Sequence, residues 1–501
     1  MRLFRCSYAR VVAIFLFAFA LRMITLETRP LWYDDAFSVF LAERGPAAIA
    51  SGTAVDTMPP GYYLLLYAWM NVVGQTPLAM RMLSVSLSLL VMAFVYVIAR
   101  RAFGVRAAEW ASFLAALMPF QIYHAQELRM YTLLALGVLM YLYGVLLVLD
   151  ANGLQTTAQP KHSHQHIAAF VLVALGTAIA LYSHNLAFVS LGAANLYFLF
   201  KRAWRLQVRL MLGQCVGAIF FTPWLIYVPT QLEKIQQAFW TTRPGLLDVV
   251  QMLLVFTTYL PLPPVLISLA LLMSVLVLVL ASWQLLKIAR RKNFSALGLL
   301  VTFVLAPPFV LFVMSYLIRP VFVPRGAIAS ALVYAMLLGF VASRAPRAMQ
   351  RILVAFTLLS AGVFLLFYYS AYGEWRRAPY VEADAFLREQ FRDGDVILHD
   401  NKLAFFPMHL YDRELPQVFL ADPPQSDNDT FAPASQAAME LYPLDFEQAV
   451  NGKTRVWFVI FQTALDEANS AHANVARLDA NLQRVQETNY GDLRIFLYAT
   501  R

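Results

Sequence analysis

The chain has 501 residues, of which 60% are hydrophobic and only 14% are charged, and its mean hydropathy is +0.59. A soluble globular protein of this length has too little interior to hide so much apolar surface, so that class is excluded. The net charge of +9 does not indicate a nucleic-acid partner, because basic residues accumulate in the cytoplasmic loops of membrane proteins. The two cysteines, Cys6 and Cys215, allow no disulfide framework.

Repeated apolar runs of about 20 residues predict a polytopic α-helical membrane protein. Residues 1–20 also have the pattern of a secretory signal peptide, with arginines, an apolar core and a small-residue site, but we favour an uncleaved first span. About eleven spans are predicted, at 11–26, 80–99, 107–123, 131–149, 167–184, 185–201, 210–229, 264–286, 296–317, 327–343 and 352–371.

Arginine and lysine cluster in alternate loops between these spans, which predicts that those loops are cytoplasmic. The N-terminus and the histidine-rich loop 152–166 then lie inside, and the C-terminus lies outside. That loop is expected to be solvated rather than metal-binding. Two apolar runs, 59–74 and 246–260, must not cross the membrane if the alternation is to hold. Both are short and contain tyrosine, so we expect them to be helices in the membrane interface.

The composition changes after residue 371, and 372–501 is predicted to be a small soluble α/β domain on the external side. Residues 1–371 form the predicted transmembrane domain, which includes the external loop 27–80. Within the soluble domain, four segments have the pattern of strands and two have the pattern of helices. The strands are predicted at 394–400, 416–422, 454–462 and 493–500, and the helices at 380–391 and 464–485.

Acidic residues are scarce before residue 372, where 10 of the 30 occur, and five of those ten lie in the external loop 27–80. An ionisable group beside hydrocarbon is costly, so its presence favours a functional interpretation. Asp34 and Asp35 open a segment that has the pattern of a short helix. A helix N-cap explains one of them, but adjacent helical residues point about 100° apart, so a cap does not explain both. We expect at least one of the two aspartates to take part in the chemistry of the site.

Other charged groups fall on the same predicted side. Glu127 and Arg129 lie in "YHAQELRMY" (123–131), and Arg81 lies at the outer start of the second span. Each has an alternative interpretation as an interfacial anchor whose charged end reaches the headgroups. His184, at an outer turn, is a candidate to contact a donor or a metal.

Arg319 and Arg325 flank an outer loop that is stiffened by two prolines. Outer loops are usually poor in arginine, so this pair is unusual. Two guanidinium groups there could bind a phosphate bidentately, or could bind ordinary phospholipid headgroups. Acid together with clustered arginine suits a reaction in which a hydroxyl attacks, a carboxylate takes the proton and a phosphate leaves.

Four motifs, in order, resemble those of polytopic glycosyltransferases that use polyprenyl-phosphate sugars. This superfamily includes the protein O-mannosyltransferases and the lipid A aminoarabinose transferases, and the bacterial family 39-like branch is the most similar. The resemblance covers about residues 10–345 and implies a C-type glycosyltransferase fold in a bacterial plasma membrane. The motifs are "RPLWYDDAFS", "DTMPPGYYLLLYAWM", "YHAQELRMYTLL" and "YSHNLAF".

The resemblance implies that Asp34, the first acid of an Asp-Glu pair, is the catalytic base. The second position is Asp35 rather than Glu, and Met58 stands where a His usually precedes the Pro-Pro motif. Arg129 matches the position that contacts the donor phosphate, and Arg325 the late external basic position.

Further roles are assigned as expectations. Arg319 and Arg81 are added to the phosphate-binding set. Asp56, Glu127, His184 and Tyr62 are expected to bind or orient substrate, and Asp35 and Glu127 are candidate ligands for a divalent metal.

These observations predict an inverting glycosyltransferase that moves a sugar from a polyprenyl-phosphate donor to a hydroxyl of a lipid, glycan or protein acceptor. One alternative is a transporter or flippase of a lipid-linked saccharide, which predicts polar groups near mid-span and a repeat between halves. Another is a non-catalytic scaffold that presents the C-terminal domain, in which Asp34 would be dispensable.

Overall fold

The computed structural model describes residues 2–151, 163–231, 242–289, 295–370, 377–423, 430–468 and 472–500. The first three-quarters of the chain is helical and the last quarter contains a sheet. The helices before the sheet region are α1 (Arg2–Met23), α2 (Tyr33–Glu43), α3 (Gly45–Ala54), α4 (Gly61–Val73), α5 (Pro77–Phe103), α6 (Val105–Leu117), α7 (Pro119–Ala125), α8 (Tyr131–Ala151), α9 (Ser163–Ser183), α10 (Ala187–Phe200), α11 (Trp204–Leu225), α12 (Leu246–Thr257), α13 (Pro264–Ala289), α14 (Ser295–Leu317), α15 (Ile328–Arg344) and α16 (Arg347–Ser370), with a 3₁₀ turn at Pro324–Ala327.

Eight helices in the described residues are long and apolar enough to span a membrane, which confirms a multi-pass helical protein. The predicted span 107–123 is divided between α6 and α7 because Met118 has an extended backbone (ψ 112°), as is usual before a proline. The predicted span 185–201 corresponds to α10, which has only 14 residues. The total of eleven spans therefore stays a prediction.

The two apolar runs that were predicted not to cross form short helices. The run 59–74 contains α4, with 13 residues, and the run 246–260 contains α12, with 12 residues. Both are well short of the roughly 20 residues that a helical span requires. Their depth in a membrane stays a prediction.

Glycines allow α8 and α9 to pack backbone against backbone. A Cβ atom on Gly176 would lie 2.4 Å from the backbone nitrogen of Tyr141 and 2.7 Å from the carbonyl oxygen of Gly137. Small residues at such crossings let two membrane helices approach closely, which increases their van der Waals contact. This helix pair fixes the start of α8 beside the end of α9, where several of the candidate site residues lie.

A five-stranded sheet forms the core of the C-terminal region, with strand order β2-β1-β3-β5-β4. The first three strands in that order are parallel, and the last two pairings are antiparallel. Apolar side chains cover both faces. The strands are β1 (Val396–His399), β2 (Gln417–Phe419), β3 (Arg455–Phe461), β4 (Gln483–Tyr490) and β5 (Leu493–Ala499), and the helices are α17 (Tyr380–Gln390), α18 (Lys402–Tyr411), α19 (Pro433–Met439), α20 (Phe446–Val450), α21 (Gln462–Glu467) and α22 (Ala473–Asn481).

The four predicted strands are present, but the predicted helix 464–485 is wrong at its end, because α22 stops at Asn481 and residues 483–485 belong to β4. The chain leaves the helical conformation after Asn481 and becomes β4, which pairs with β5. β4 is a largely exposed edge strand, so its residues are polar and lack the alternation that marks a half-buried strand. The helix α18 was also missed.

The C-terminal region packs against the loop that carries the two adjacent aspartates. Aromatic side chains of α2 and α18 form one buried cluster, in which the rings of Phe40 and Phe406 meet edge to face at 5.5 Å. At the rim, Arg413 donates two hydrogen bonds, of 3.1 and 2.8 Å, to the carboxylate of Glu43. The Tyr411 hydroxyl accepts a hydrogen bond of 2.7 Å from the backbone N–H of Leu31.

We predict that Gly176→Ala destabilises the protein by about 1–3 kcal/mol, because the new methyl group overlaps the backbone of α8. Gly192→Ala is the matched control, since a Cβ atom on Gly192 in α10 meets nothing within 4 Å. Thermal unfolding of both variants in one detergent tests this. Equal midpoints for the two variants would show that the close approach does not limit stability.

Candidate active site

The short helix α2 gives the adjacent aspartates Asp34 and Asp35 different environments. The helix begins at Tyr33, after an extended Trp32, so both acids lie in its first turn. Side chains of consecutive helical residues point about 100° apart. As a result, the Asp35 side chain is fully buried, whereas 22% of the Asp34 side chain is exposed. Only Asp34 is thus accessible to a substrate.

Asp35 is the acceptor of a buried network. One carboxylate oxygen accepts a hydrogen bond of 2.8 Å from the backbone N–H of Leu128, and the other accepts one of 3.1 Å from Arg377. The guanidinium of Arg81 lies 3.7 Å away. With these donors, Asp35 is suited to hold two loops together, and it offers no exposed oxygen to a reacting group.

Arg81 is held by the backbone that precedes α2. Its guanidinium donates hydrogen bonds of 2.8, 2.6 and 3.0 Å to three backbone carbonyls of this loop, and its side chain is fully buried. This placement favours a structural role over the predicted contact with a donor phosphate. The carbonyls belong to Leu26, Arg29 and Pro30.

Glu127 shares Arg377 with Asp35. Its carboxylate accepts a hydrogen bond of 3.0 Å from Arg377 and lies 3.5 Å from Nδ1 of His124. Burial opposes ionisation of Glu127, but the contacts with His124 and Arg377 outweigh burial and lower its pKa to about 2. Glu127 is therefore an ionised member of the same network.

Asp34 faces Arg129 across a polar gap. Nε of Arg129 lies 3.8 Å from the Asp34 carboxylate, and the same guanidinium donates a hydrogen bond of 3.4 Å to the Tyr63 hydroxyl. Burial raises the pKa of Asp34, and the charges of Arg129 and Arg325 oppose that rise. Of the two adjacent aspartates, Asp34 has the weaker ion pair. A weakly paired carboxylate can accept a proton, as a general base must.

Next to this pair are three buried side chains with polar atoms that have no hydrogen-bond partner in the part of the chain that the structure describes. They are the Tyr131 hydroxyl, Nε2 of His184 and Nε2 of His124. The rings form a row, with centroids 4.6 Å apart for His124 and Tyr131 and 6.0 Å apart for Tyr131 and His184. The guanidinium of Arg325 lies 5.7 Å from the centre of the Tyr131 ring.

His184 is set up to donate from Nε2. Its Nδ1 accepts a hydrogen bond of 3.0 Å from the backbone N–H of Leu186, which places the proton of the neutral ring on Nε2. Burial, with the nearby charges of Arg325 and Arg129, lowers the pKa of His184 to about 3. A neutral N–H donor beside two guanidinium groups suits an anionic ligand.

The remaining predicted residues are spread around this centre. The Tyr62 hydroxyl is buried and forms a hydrogen bond of 3.0 Å with Ser84 of α5, so it stabilises packing instead of facing a substrate. Asp56 is half-buried, and its charge acts on Tyr63 and Arg129. Arg319 is half-buried just beyond α14, where its backbone N–H donates to the Met314 carbonyl at 3.2 Å.

The predicted divalent-metal ligands do not fit a metal. Asp35 and Glu127 are both bound to one guanidinium, that of Arg377, which supplies the positive charge that a cation would bring. Within the described ranges, no group of three or more His, Cys, Asp or Glu side chains is arranged to hold an ion.

Sequence reasoning missed Arg377, Tyr63 and Tyr131 as members of this site. Tyr63 and Tyr131 lie inside motifs that were recognised, but tyrosines near a membrane boundary are usually interfacial anchors. Arg377 follows the last long helix and carries no motif. Only its contacts with Asp35 and Glu127 reveal its place.

The chain has the C-type glycosyltransferase fold with a small C-terminal sheet domain. Residues 57–227 match the family model described as dolichyl-phosphate-mannose-protein mannosyltransferase. The resemblance to glycosyltransferases that use polyprenyl-phosphate sugars is thereby confirmed. No curated protein sequence gives a significant match.

Solved structures agree with this fold assignment. The chain is similar to apo ArnT from Cupriavidus metallidurans, with 14% identity, 98% of each chain covered and a TM-score of 0.66. It is similar to the same protein bound to undecaprenyl phosphate, with 16% identity, 97% of each chain covered and a TM-score of 0.62. The Archaeoglobus fulgidus oligosaccharyltransferase in complex with Zn and sulfate has 13% identity and a TM-score of 0.54, with 98% of this chain and 73% of that chain covered.

We predict that Asp35→Asn and Asp34→Asn differ in stability. Asp35→Asn leaves Arg377 and Arg81 buried without a full counter-charge and should cost about 3–5 kcal/mol. Asp34→Asn removes a carboxylate that burial already disfavours, so its cost should stay below about 1 kcal/mol. Thermal unfolding in matched detergent measures both. Equal losses would contradict the assignment of Asp35 to the structural network.

Proposed function

We propose that the protein is an inverting glycosyltransferase, which moves a sugar from a polyprenyl-phosphate donor to a hydroxyl acceptor at the external face of the membrane. The observation that carries the proposal is the pairing of a partly exposed carboxylate, Asp34, with Arg129 at 3.8 Å, beside buried hydrogen-bond donors without partners. A base and an anion-binding group are thus within reach of a single sugar ring.

Asp34 acts as the general base in this proposal. The acceptor O–H gives its proton to the Asp34 carboxylate while the oxygen bonds to the anomeric carbon of the donor sugar. The bond from that carbon to the phosphate oxygen breaks, and the electron pair leaves with the phosphate. Attack from the side opposite the phosphate inverts the anomeric configuration. Asp35 cannot replace Asp34, because its oxygens are engaged with Arg377 and Leu128.

The donor phosphate is assigned to the cluster of Arg129, Arg325, His184 and Tyr131. The two guanidinium groups supply charge, and the His184 N–H and the Tyr131 hydroxyl supply neutral hydrogen bonds. Groups that are already oriented towards a developing negative charge lower the barrier without further reorganisation. The likeness to a structure that holds undecaprenyl phosphate supports a lipid phosphate as the ligand.

The position of the site in the fold supports transfer over transport. Asp34, Arg129, His184 and Arg325 all lie in or beside connections between long helices, and none lies in the middle of a span. A transporter of a lipid-linked saccharide would need polar groups near the membrane centre. The alternation of basic loops supports placing these connections, together with the C-terminal domain, outside the membrane.

The proposal predicts that Asp34→Asn lowers turnover by about 10²-fold or more, since a positioned base contributes about that much. Asn keeps the shape of Asp but cannot take the proton. Glu43→Gln is the matched control, because Glu43 ends the same helix and pairs with Arg413 at the rim. The measurement is sugar transfer from a polyprenyl-phosphate donor by purified variants. Full activity of Asp34→Asn would refute the mechanism.

The pH dependence of the reaction gives a second test. A base must be ionised, and burial raises the pKa of Asp34, so activity should fall on acidification at a pH above the ordinary aspartate value of about 3.9. The charge of Arg129 opposes that rise. Arg129→Met should therefore move the acid limb of kcat/KM to still higher pH, whereas Arg129→Lys should move it less. An acid limb that stays in place in Arg129→Met would contradict Asp34 as the titrating base.

A further inference from the structure

Arg377 belongs to the segment that leads into the C-terminal domain, yet its guanidinium is buried among the loops of the transmembrane domain. It donates hydrogen bonds of 2.6 Å to the Pro30 carbonyl, 3.1 Å to Asp35 and 3.0 Å to Glu127. Its side chain is 1% exposed, and it also lies 5.5 Å from the ring centre of Trp32. One side chain thus joins three points on two loops.

We propose that Arg377 is a positioning residue, through which the C-terminal domain holds the loop of Asp34 and the loop of Arg129 in register. This inference rests on the proposed function, because it assigns Arg377 a role in placing the base and the phosphate-binding group of that reaction.

Arg377 contacts residues that lie next to the proposed base and close to the phosphate-binding arginine in sequence. Asp35, which accepts from Arg377, is adjacent to the proposed base Asp34. Glu127, which accepts from the other end of the same guanidinium, is two residues from Arg129. Asp35 also accepts from the backbone N–H of Leu128, the residue just before Arg129, at 2.8 Å. Movement of Arg377 would therefore change the distance between Asp34 and Arg129.

The fork of the arginine is essential to this arrangement. Its planar guanidinium spans two carboxylates with separate N–H groups, whereas the single ammonium of a lysine keeps the charge but cannot reproduce the geometry. Tyr411 also contacts this loop, at Leu31, but other contacts between the domains lie farther along α2. Arg413 binds Glu43 at the far end of α2, where its side chain is 44% exposed, and touches neither Asp35 nor Glu127. Arg413 is therefore a matched control for docking of the domain alone.

The experiment compares full-length Arg377→Met, Arg377→Lys and Arg413→Met in kcat, donor KM and thermal stability. We expect Arg377→Met to lower kcat by about 10- to 100-fold, because displacement of reacting groups by about 1 Å has effects of that size. Arg377→Lys should recover only part of kcat while keeping its folded yield. Arg413→Met should remain near wild type in all three quantities.

A second readout does not depend on catalysis. In a background with Cys6→Ser and Cys215→Ser, Asp34→Cys is labelled by a small maleimide with and without the Arg377 substitutions. Loosening of the loop should raise the labelling rate several-fold in the Arg377 variants and leave it unchanged with Arg413→Met.

The outcomes separate the two proposals. If the wild type transfers no sugar, the proposed function fails, and the labelling rates still decide the role of Arg377. If Arg377→Met does not fold, the kcat of folded Arg377→Lys decides whether Arg377 is a positioning residue. The inference would be overturned if Arg377→Lys had the kcat of the wild type. It would also be overturned if neither Arg377 substitution changed the labelling rate.

Discussion

The cost of burying charge organises this structure around one guanidinium. Arg377, Asp35 and Glu127 are each almost completely removed from solvent. An isolated ion in such a place costs several kcal/mol, and only a close and well-hydrogen-bonded partner offsets that cost. None of the three side chains is therefore tolerable alone. Their mutual dependence brings together a segment after the last long helix, the loop before α8 and the first turn of α2.

The same physics separates two side chains of identical chemistry. Asp34 and Asp35 differ by one position on a helix, and that rotation turns one carboxylate into the network and the other towards Arg129. The oxygens of Asp35 are engaged by the backbone N–H of Leu128 and by Arg377, so none is available to an acceptor hydroxyl. Asp34 keeps a partner at 3.8 Å and partial exposure, so its proton affinity is set mainly by burial. Assigning the two roles requires the packing around α2, which no local pattern contains.

Short sequence patterns predicted the elements whose formation depends on nearby residues. β1, β3 and β5 are apolar because they are buried, and the division between α6 and α7 follows from the proline at position 119. The edge strand β4 escaped prediction because exposure on both sides removes its pattern.

Within the site, Asp34 and Arg129 could be named from motifs that lie near the spans. Arg377 could not, since its acceptors are 342 and 250 residues away in sequence. Arg81 was predicted to bind the donor phosphate, but sequence alone does not reveal that its guanidinium faces backbone carbonyls.

The network of Arg377 and the row of His124, Tyr131 and His184 differ in how their buried charges and polar atoms are paired. This difference supports placing the proposed ligand at the row. In the network of Arg377, each buried charge meets an opposite charge, although Nε of Arg377 and Nε of Arg81 have no hydrogen-bond partner among the described residues. In the row of His124, Tyr131 and His184, buried polar atoms lack partners among the described residues. An unpaired buried polar atom costs about 1–3 kcal/mol, and a ligand that pairs with it recovers that free energy on binding. In the proposed reaction, the charge-paired network of Arg377 would fix the geometry, and the row of His124, Tyr131 and His184 would contribute to binding the phosphate.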